Sequence, residues 1–344
     1  MESVFKDVLV LELASVLAGP SVGQFFAELG AKVIKVENAA THGDVTRTWK
    51  LSSEPATTDT PAYFCAANWG KTSLALNLTH EQDLQQLFEL VKEADMVIAS
   101  YKPGDAEKLR VDYATLQSIN PRLIYGHITG YGPEDSRAGY DAVVQAESGF
   151  MHLNGEPDSM PTKMPVALMD ILTAHQLKEG LLVAMLQRAK TGKGQLVQVS
   201  LLEAAVSALA NQATAYLVAG QEPKRMGSEH PTIVPYGKVY TTKDQKQLVL
   251  AIGDDRQFKK LCAILGAPGL ADDPAYKSNY NRVQNRVELT AILNSLISEC
   301  QRDTLLEQLH RQHVPAGAVN TIPEVFELPQ AQQMLLLHNG ARPG

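Results

Sequence analysis

Only three cysteines occur in the 344 residues, Cys65, Cys262 and Cys300, and they stand far apart. No C-x-x-C pair or Cys/His cluster accompanies them. The chain therefore offers neither a zinc site nor a disulfide framework, no metal is expected, and a reducing compartment fits. No run of about 18 or more apolar residues exists, so no membrane span is expected. Leu201 to Gly220 comes nearest, but Glu203, Asn211 and Gln212 interrupt it. The first residues, MESVFKD, do not form a basic leader to an apolar core, which argues against a secretory signal and for a cytoplasmic protein. Basic residues are outnumbered, 31 against 38 acidic, for a net charge of −7. That balance disfavours nucleic acid or an anionic membrane as the main partner. An anionic ligand would need a local basic patch. Internal repeats and low-complexity tracts are also missing.

What is present is an ordinary globular composition, 44% hydrophobic and 20% charged, over a length that suggests two domains. Val8 to Leu13 reads as an apolar strand broken only by Glu12. Gly19-Pro20 opens a helix running to about Leu29, and Lys32 to Glu37 reads as a second strand. This β-α-β unit builds a parallel sheet. Strand signals recur at Ser73–Leu78, Met96–Ser100, Leu123–Ile128 and Gln195–Ser200, with helical stretches between several of them. The expected fold class is α/β, with a doubly wound large domain. After about Gly220 the character changes. A strand pair near Lys238–Thr242 and Gln247–Ile252 is followed by helices at Arg256–Leu265, Arg286–Glu299 and Thr304–Gln312. A small α+β domain over residues 225–312 is expected, with linkers at 219–224 and 313–317. The large domain covers 1–218, joined again by 318–344.

The first strand–helix turn, Ala14-Ser15-Val16-Leu17-Ala18-Gly19-Pro20, lacks G-x-G-x-x-G. Only Gly19 and Gly23 are there, so a dinucleotide cofactor is disfavoured and Glu37 reads as a strand-end charge. The most informative stretch is 165–200, PVALMDILTAHQLKEGLLVAMLQRAKTGKGQLVQVS. Asp170 follows an apolar run and opens a helix whose face is Ile171, Ala174, Leu177, Leu181, Leu182 and Met185. The Thr-Gly-Lys-Gly turn at 191–194 ends it. Two readings of Asp170 stand side by side. One is a helix cap that accepts orphan N–H groups of the first turn. The other is a nucleophile whose apolar neighbours strip its hydration and raise its pKa.

This segment resembles the signature of the class III CoA-transferases, the family of formyl-CoA and carnitine CoA-transferases. The blocks VLVLELASVLAGPSVGQFFAELGAKVIKVE at 8–37, NWGKTSLALNL at 68–78, YKPGDAEKL at 101–109, NPRLIYGHITGYG at 120–132, RMGSEHPTIVPY at 225–236 and AIGDDRQFKKLCAILG at 251–266 continue the likeness in order. The resemblance implies a Rossmann-like large domain, a small domain reached by long linkers, and an interlocked homodimer. It implies Asp170 as the catalytic nucleophile. Coenzyme A enters as part of the acyl-CoA substrate, with no tightly bound cofactor. The expected activity is reversible movement of CoA between an acyl-CoA and a free carboxylic acid, through an aspartyl anhydride and an aspartyl-CoA thioester.

The same resemblance supplies candidate contacts. Val16, Leu17 and Ala18 line the thioester pocket, and Leu17 stands where some oxalate-using relatives carry Gln. Asn38, Leu76, Asn77, Ser100 and Tyr101 are expected around the CoA moiety. Lys108, with Lys102 beside it, is expected to meet phosphates as a point charge. The loop 42–47 resembles a Gly-Asp-x-x-Arg stretch and has two readings, a polar surface loop or a site where the fork of Arg47 holds a carboxylate or phosphate. Arg137 and Tyr140 complete the set. The family also contains racemases, which use a His at the position of Tyr140. A tyrosine, with a pKa near 10, is poorly matched to proton abstraction at neutral pH. His127, His152 and His175 read as structural. Ile252-Gly253-Asp254-Asp255 opens a helix, with an Asp cap and a lid as its two readings. Two alternatives to transfer remain on sequence alone: an acyl-CoA racemase or epimerase, and a non-catalytic CoA-binding protein.

Overall fold

A computed structural model describes residues 3–336. Six strands, β1 (Leu9–Leu13), β2 (Lys32–Asn38), β3 (Thr72–Leu76), β4 (Met96–Ala99), β5 (Ile124–Thr129) and β6 (Leu196–Ser200), form one sheet in the order β3-β2-β1-β4-β5-β6. All five pairings are parallel. Near-continuous runs of Val, Ile and Leu suit strands buried on both faces. Alternation along them divides the side chains between two cores. Val10, Ile98 and Ile124 pack on one face with Val22, Phe26, Leu177 and Leu181. Leu11, Leu13 and Val97 pack on the other with Leu84, Leu87 and Leu116. The α/β reading therefore holds, and the strand order is that of a doubly wound Rossmann-like sheet.

The helix carrying Asp170 runs from Leu168 to Thr191 and lies against β5 and β6. Glycine makes the approach close: a Cβ at Gly180 would come 2.6 Å from the Val197 side chain. The helix stops at Gly192, whose φ of 73° is left-handed and whose N–H returns to the Arg188 carbonyl. Among the described residues no helix is long and apolar enough to cross a membrane.

The chain divides into two compact units. One holds the residues up to Met151 with Lys163–Pro223, and the other holds His152–Thr162 with Lys224–Leu335. The second unit has a three-stranded antiparallel sheet, β7 (Tyr236–Thr241), β8 (Gln247–Ala251) and β9 (Ala316–Ala318). Its core gathers Leu248, Leu250, Phe258, Leu261, Leu289, Leu293, Leu305 and Leu309. Two expected boundaries need correction. The segment 313–317 is not simply a linker, because Ala316–Ala318 pairs with β8 and the His310 ring reaches the Ala316 carbonyl. Residues 318–335 also belong to this unit rather than to the large one. The expectation that the tail returns to the large domain otherwise concerns residues 337–344, outside the described residues. Asp254 is the cap of its helix, accepting the Gln257 N–H at 2.8 Å, while Asp255 pairs with the buried Arg282.

Candidate active site

The sheet order reverses between β1 and β4, and the crevice at such a point is where open α/β sheets bind ligands. Ser15–Ala18 after β1, Ser100–Lys102 after β4 and Ile128–Gly130 at the end of β5 line a cavity of about 210 Å³ there. Asp170 reaches this cavity together with residues 137–141. It also lines a second cavity, of about 470 Å³, with Val16, Leu17, Trp49, Tyr63, Tyr140, Asp141, Lys163 and residues 165–167. A third, of about 330 Å³, lies at the ends of β1 to β4 and is lined by Asn38, Leu76, Asn77, Ser100 and Tyr101 among others.

Asp170 is the third residue of its helix, and the capping residue is Ala167. The cap reading is thereby corrected. The first turn is satisfied from another element, since Asp141 Oδ1 accepts the Met169 N–H at 2.8 Å. Asp141 Oδ2 accepts from the Gln145 amide at 2.8 Å, and the Gln145 Oε1 accepts the Met164 N–H at 2.8 Å. Gln145 is fully buried. A bracket from the Asp141–Glu147 helix thus fixes the approach to Asp170 without touching its carboxylate. Burial, and then the charge of Asp141, push the Asp170 pKa from 3.8 up to about 7. No cation and no hydrogen bond among the described residues counters that shift. A half-buried carboxylate that lines two cavities and has no partner among the described residues is suited to react rather than to hold structure.

A sequence profile of CoA-transferase family III matches residues 5–343. The chain belongs to this family. The succinate–glutarate CoA-transferase of Agrobacterium fabrum is 41% identical over 333 residues, which cover 95% of this chain and 82% of that protein. The acetyl-CoA:oxalate CoA-transferase of Acetobacter aceti is 35% identical over 342 residues, 98% of this chain and 86% of that protein. Among solved structures, a CaiB/BaiF family protein from Brucella suis superimposes with a TM-score of 0.82 at 43% identity, covering 95% of this chain and 86% of that one. The protein is a family III CoA-transferase.

Within this CoA-transferase the expected contacts separate. Val16, Leu17, Ala18 and Tyr140 lie beside Asp170, and Lys102 lines the smaller of its two cavities. Tyr140 is well exposed, at 62%. Arg137 lines the same cavity, but its guanidinium is engaged by Asp135 and Glu147 and stacks on Tyr131. Lys108 pairs with Asp105 at 2.9 Å on the exposed surface and lines none of these cavities. Arg47 does fork onto a carboxylate, but onto that of Glu37, at 2.8 and 2.6 Å, while it donates to the Asp59 carbonyl and lies over Phe64. The fork expected to meet a substrate anion is thus occupied by Glu37 in this structure. Glu37 is more than a strand-end charge: its burial is outweighed by hydrogen bonds from Arg47, Ser73 and the Asp44 N–H, which hold its pKa at about 2. His127 is turned away, its ring bonded to the Tyr101 carbonyl.

Sequence reasoning missed Asp141, Trp49, Tyr63 and Lys163. Asp141 directly follows Tyr140, but nothing local shows that it reaches across to another helix. Trp49 and Tyr63 pack edge to face, with centroids 5.0 Å apart, and form an apolar wall. Lys163 sits in a loop with no periodic signal. Its ammonium donates to the Met164 and Pro165 carbonyls at 3.0 and 3.4 Å and pairs with no carboxylate of a described residue.

Proposed function

We propose that this CoA-transferase moves CoA reversibly between small dicarboxylic acids, with Asp170 as the covalent nucleophile. The observation that carries the reading is the half-buried Asp170 carboxylate, without a partner among the described residues and shared by two cavities at the sheet's switch point. The ionised carboxylate attacks the thioester carbonyl, the C–S bond breaks, and CoA leaves as a thiolate from a mixed anhydride. The thiolate then attacks the aspartyl carbonyl, the anhydride C–O bond breaks, and the first acid departs as its carboxylate. An acceptor carboxylate attacks the aspartyl–CoA thioester, and the same two steps run in reverse. No proton or electron is gained or lost overall, and the anhydride and thioester are similarly activated. The Leu17 and Ala18 amides, opening the first helix, supply donors for the oxyanions. The apolar wall of Trp49, Tyr63 and Val166 limits water that would hydrolyse the anhydride.

The dicarboxylate preference is supported by Lys163, which lines the larger cavity and whose ammonium, held by two carbonyls, pairs with no carboxylate of a described residue, so that the remote carboxylate of a bound acid finds a counter-charge there. The relatives named above for succinate, glutarate and oxalate support the same preference. Racemisation finds no support in the lining, where among the described residues no histidine stands with Asp170 in either cavity. The nucleotide end of CoA is assigned to the third cavity, with Asn38, Asn77 and Tyr101. A homodimer and a cytoplasmic location complete the reading. The test is intact-protein mass spectrometry after incubation with succinyl-, glutaryl- and acetyl-CoA, quenched with hydroxylamine or borohydride, on wild type and Asp170→Ala. A product mapping to Asp170 and absent from the variant is expected. Turnover surviving in Asp170→Ala would sink the proposal.

A further inference from the structure

The turn between β1 and the Ala18–Glu28 helix lines both cavities that hold Asp170. Its backbone is unusual at Val16, where φ is 71°. A β-branched residue in the left-handed region is a steric outlier, and such strain persists only where the surroundings hold it. Three buried side chains hold the backbone here, two within the turn and one at the start of the helix that follows it. The Asp44 carboxylate accepts the Val16 N–H, at 3.2 and 3.3 Å from its two oxygens. The Lys35 ammonium donates to the Ala14 carbonyl at 2.8 Å, and the Lys71 ammonium to the Pro20 carbonyl at 2.8 Å.

These side chains form one charge network. Lys35 lies 2.8 Å from Asp44 and 2.9 Å from one oxygen of Glu12, while Lys71 lies 2.7 Å from the other Glu12 oxygen. All four side chains are at most 2% exposed. Two carboxylates and two ammonium groups balance, which is the condition for burying them. Thr46 fixes Asp44 further, through its N–H at 3.0 Å and its hydroxyl at 2.8 Å. Fold stability alone is a weak account, because apolar residues of similar volume fill such a site as well or better. What apolar residues cannot do is bind the N–H and a carbonyl of one strained turn together with a carbonyl in the first turn of the helix it leads into.

We infer that Glu12, Lys35, Asp44 and Lys71 are positioning residues for the transfer reaction, holding Val16 in its left-handed conformation so that the Val16–Ala18 backbone stays aligned on the cavities of Asp170. The inference rests on Asp170 being the reacting carboxylate. Asp44→Asn keeps the size and one acceptor oxygen but removes the charge that binds Lys35. A misplacement of about 1 Å in a positioned group is enough to lower a rate by ~100-fold. The expected result is a fall in kcat of about 10- to 100-fold, with KM for the acyl-CoA changed by no more than about threefold. Adding Val16→Gly is the decisive step, because glycine takes positive φ without steric penalty. The double variant is expected to regain at least about tenfold in kcat over Asp44→Asn. A network that serves only the fold predicts no such rescue.

Should Asp44→Asn not fold, Thr46→Val removes one hydrogen bond to the same carboxylate at nearly constant volume. A smaller kcat loss, again restored by Val16→Gly, is then expected. Native kcat in the folded single variants, or no restoration in the double variants, overturns the inference. Asp170→Ala is run in parallel. An inactive Asp170→Ala beside an unaffected Asp44→Asn refutes the positioning role alone, whereas an active Asp170→Ala removes the reading beneath it.

Discussion

Replacing Asp170 with asparagine is expected to abolish transfer and to stabilise the protein at neutral pH. The carboxyl titrates at 3.8 when unfolded and at about 7 in the fold, because burial and then Asp141 disfavour its charge. A group whose folded pKa is raised binds its proton more tightly in the native state, so its ionisation destabilises the fold. Below about pH 4 both states are protonated and no penalty exists. Between about pH 4 and pH 7 the unfolded chain releases the proton and the native chain keeps it, so stability falls as pH rises. Above about pH 7 the full difference applies, an upper limit of about 4 kcal/mol. Solvent reaching the half-buried carboxylate reduces this to about 2 kcal/mol. Asparagine keeps the shape and carries no charge, so it removes the penalty. With roughly 2–4 °C per kcal/mol for a unit of this size, thermal melts at pH 8 should show Asp170→Asn about 4–8 °C above wild type. The gap should narrow steadily towards pH 5. A variant no more stable than wild type at pH 8, or a gap independent of pH, would refute the argument that Asp170 is held against its preferred ionisation. The outcome would place Asp170 among active-site groups that trade stability for reactivity.

Two further predictions address its neighbours. Only the ionised carboxylate attacks, so kcat/KM should rise with pH through about 7. Asp141→Asn keeps an acceptor for the Met169 N–H but removes the charge facing Asp170, so the midpoint of that profile should move towards acid; a midpoint unchanged or moved upward contradicts the assignment. Lys163→Ala should raise KM for succinate and glutarate by roughly 10-fold while leaving KM for acetate within about twofold. Steady-state kinetics with the three acceptors decides it, and equal effects on all three would remove Lys163 from substrate recognition.

Much of the fold was legible because its signals are local. VLVLEL and KVIKVE announce buried parallel strands, and the long apolar face after Asp170 announces a helix that must cover a sheet. The Thr-Gly-Lys-Gly stop needs one left-handed residue, and Gly192 supplies it. Asp170 itself stood out as a single acid after apolar neighbours. What was not legible shares one cause, which is that an ionic side chain chooses its partner in three dimensions. Arg47 carries the right chemistry to fork onto an anion, but Glu37 lies within reach at the end of β2 and takes it. Lys108 has an Asp three residues earlier on its own helix and pairs with it at the surface. Ala316–Ala318 has no strong strand pattern and joins a sheet only because the edge of β8 is open to it.

By itself the sequence determined the α/β class and the parallel order of secondary elements, since each depends on periodicity, and it drew attention to Asp170 as a single acid after apolar neighbours. Tertiary structure alone decided the ionisation of that carboxylate. Burial, and then the charge of Asp141 brought from a different helix, raise the Asp170 pKa, and the same Asp141 accepts the Met169 N–H. It also decided the shape of the Val16 turn. Glu12 and Lys35 look like faults in two apolar strands until Asp44 and Lys71 are folded against them. The physical reason is the same in both cases: electrostatic energy depends on distance and burial between residues far apart in the chain, and neither quantity exists until the chain has folded.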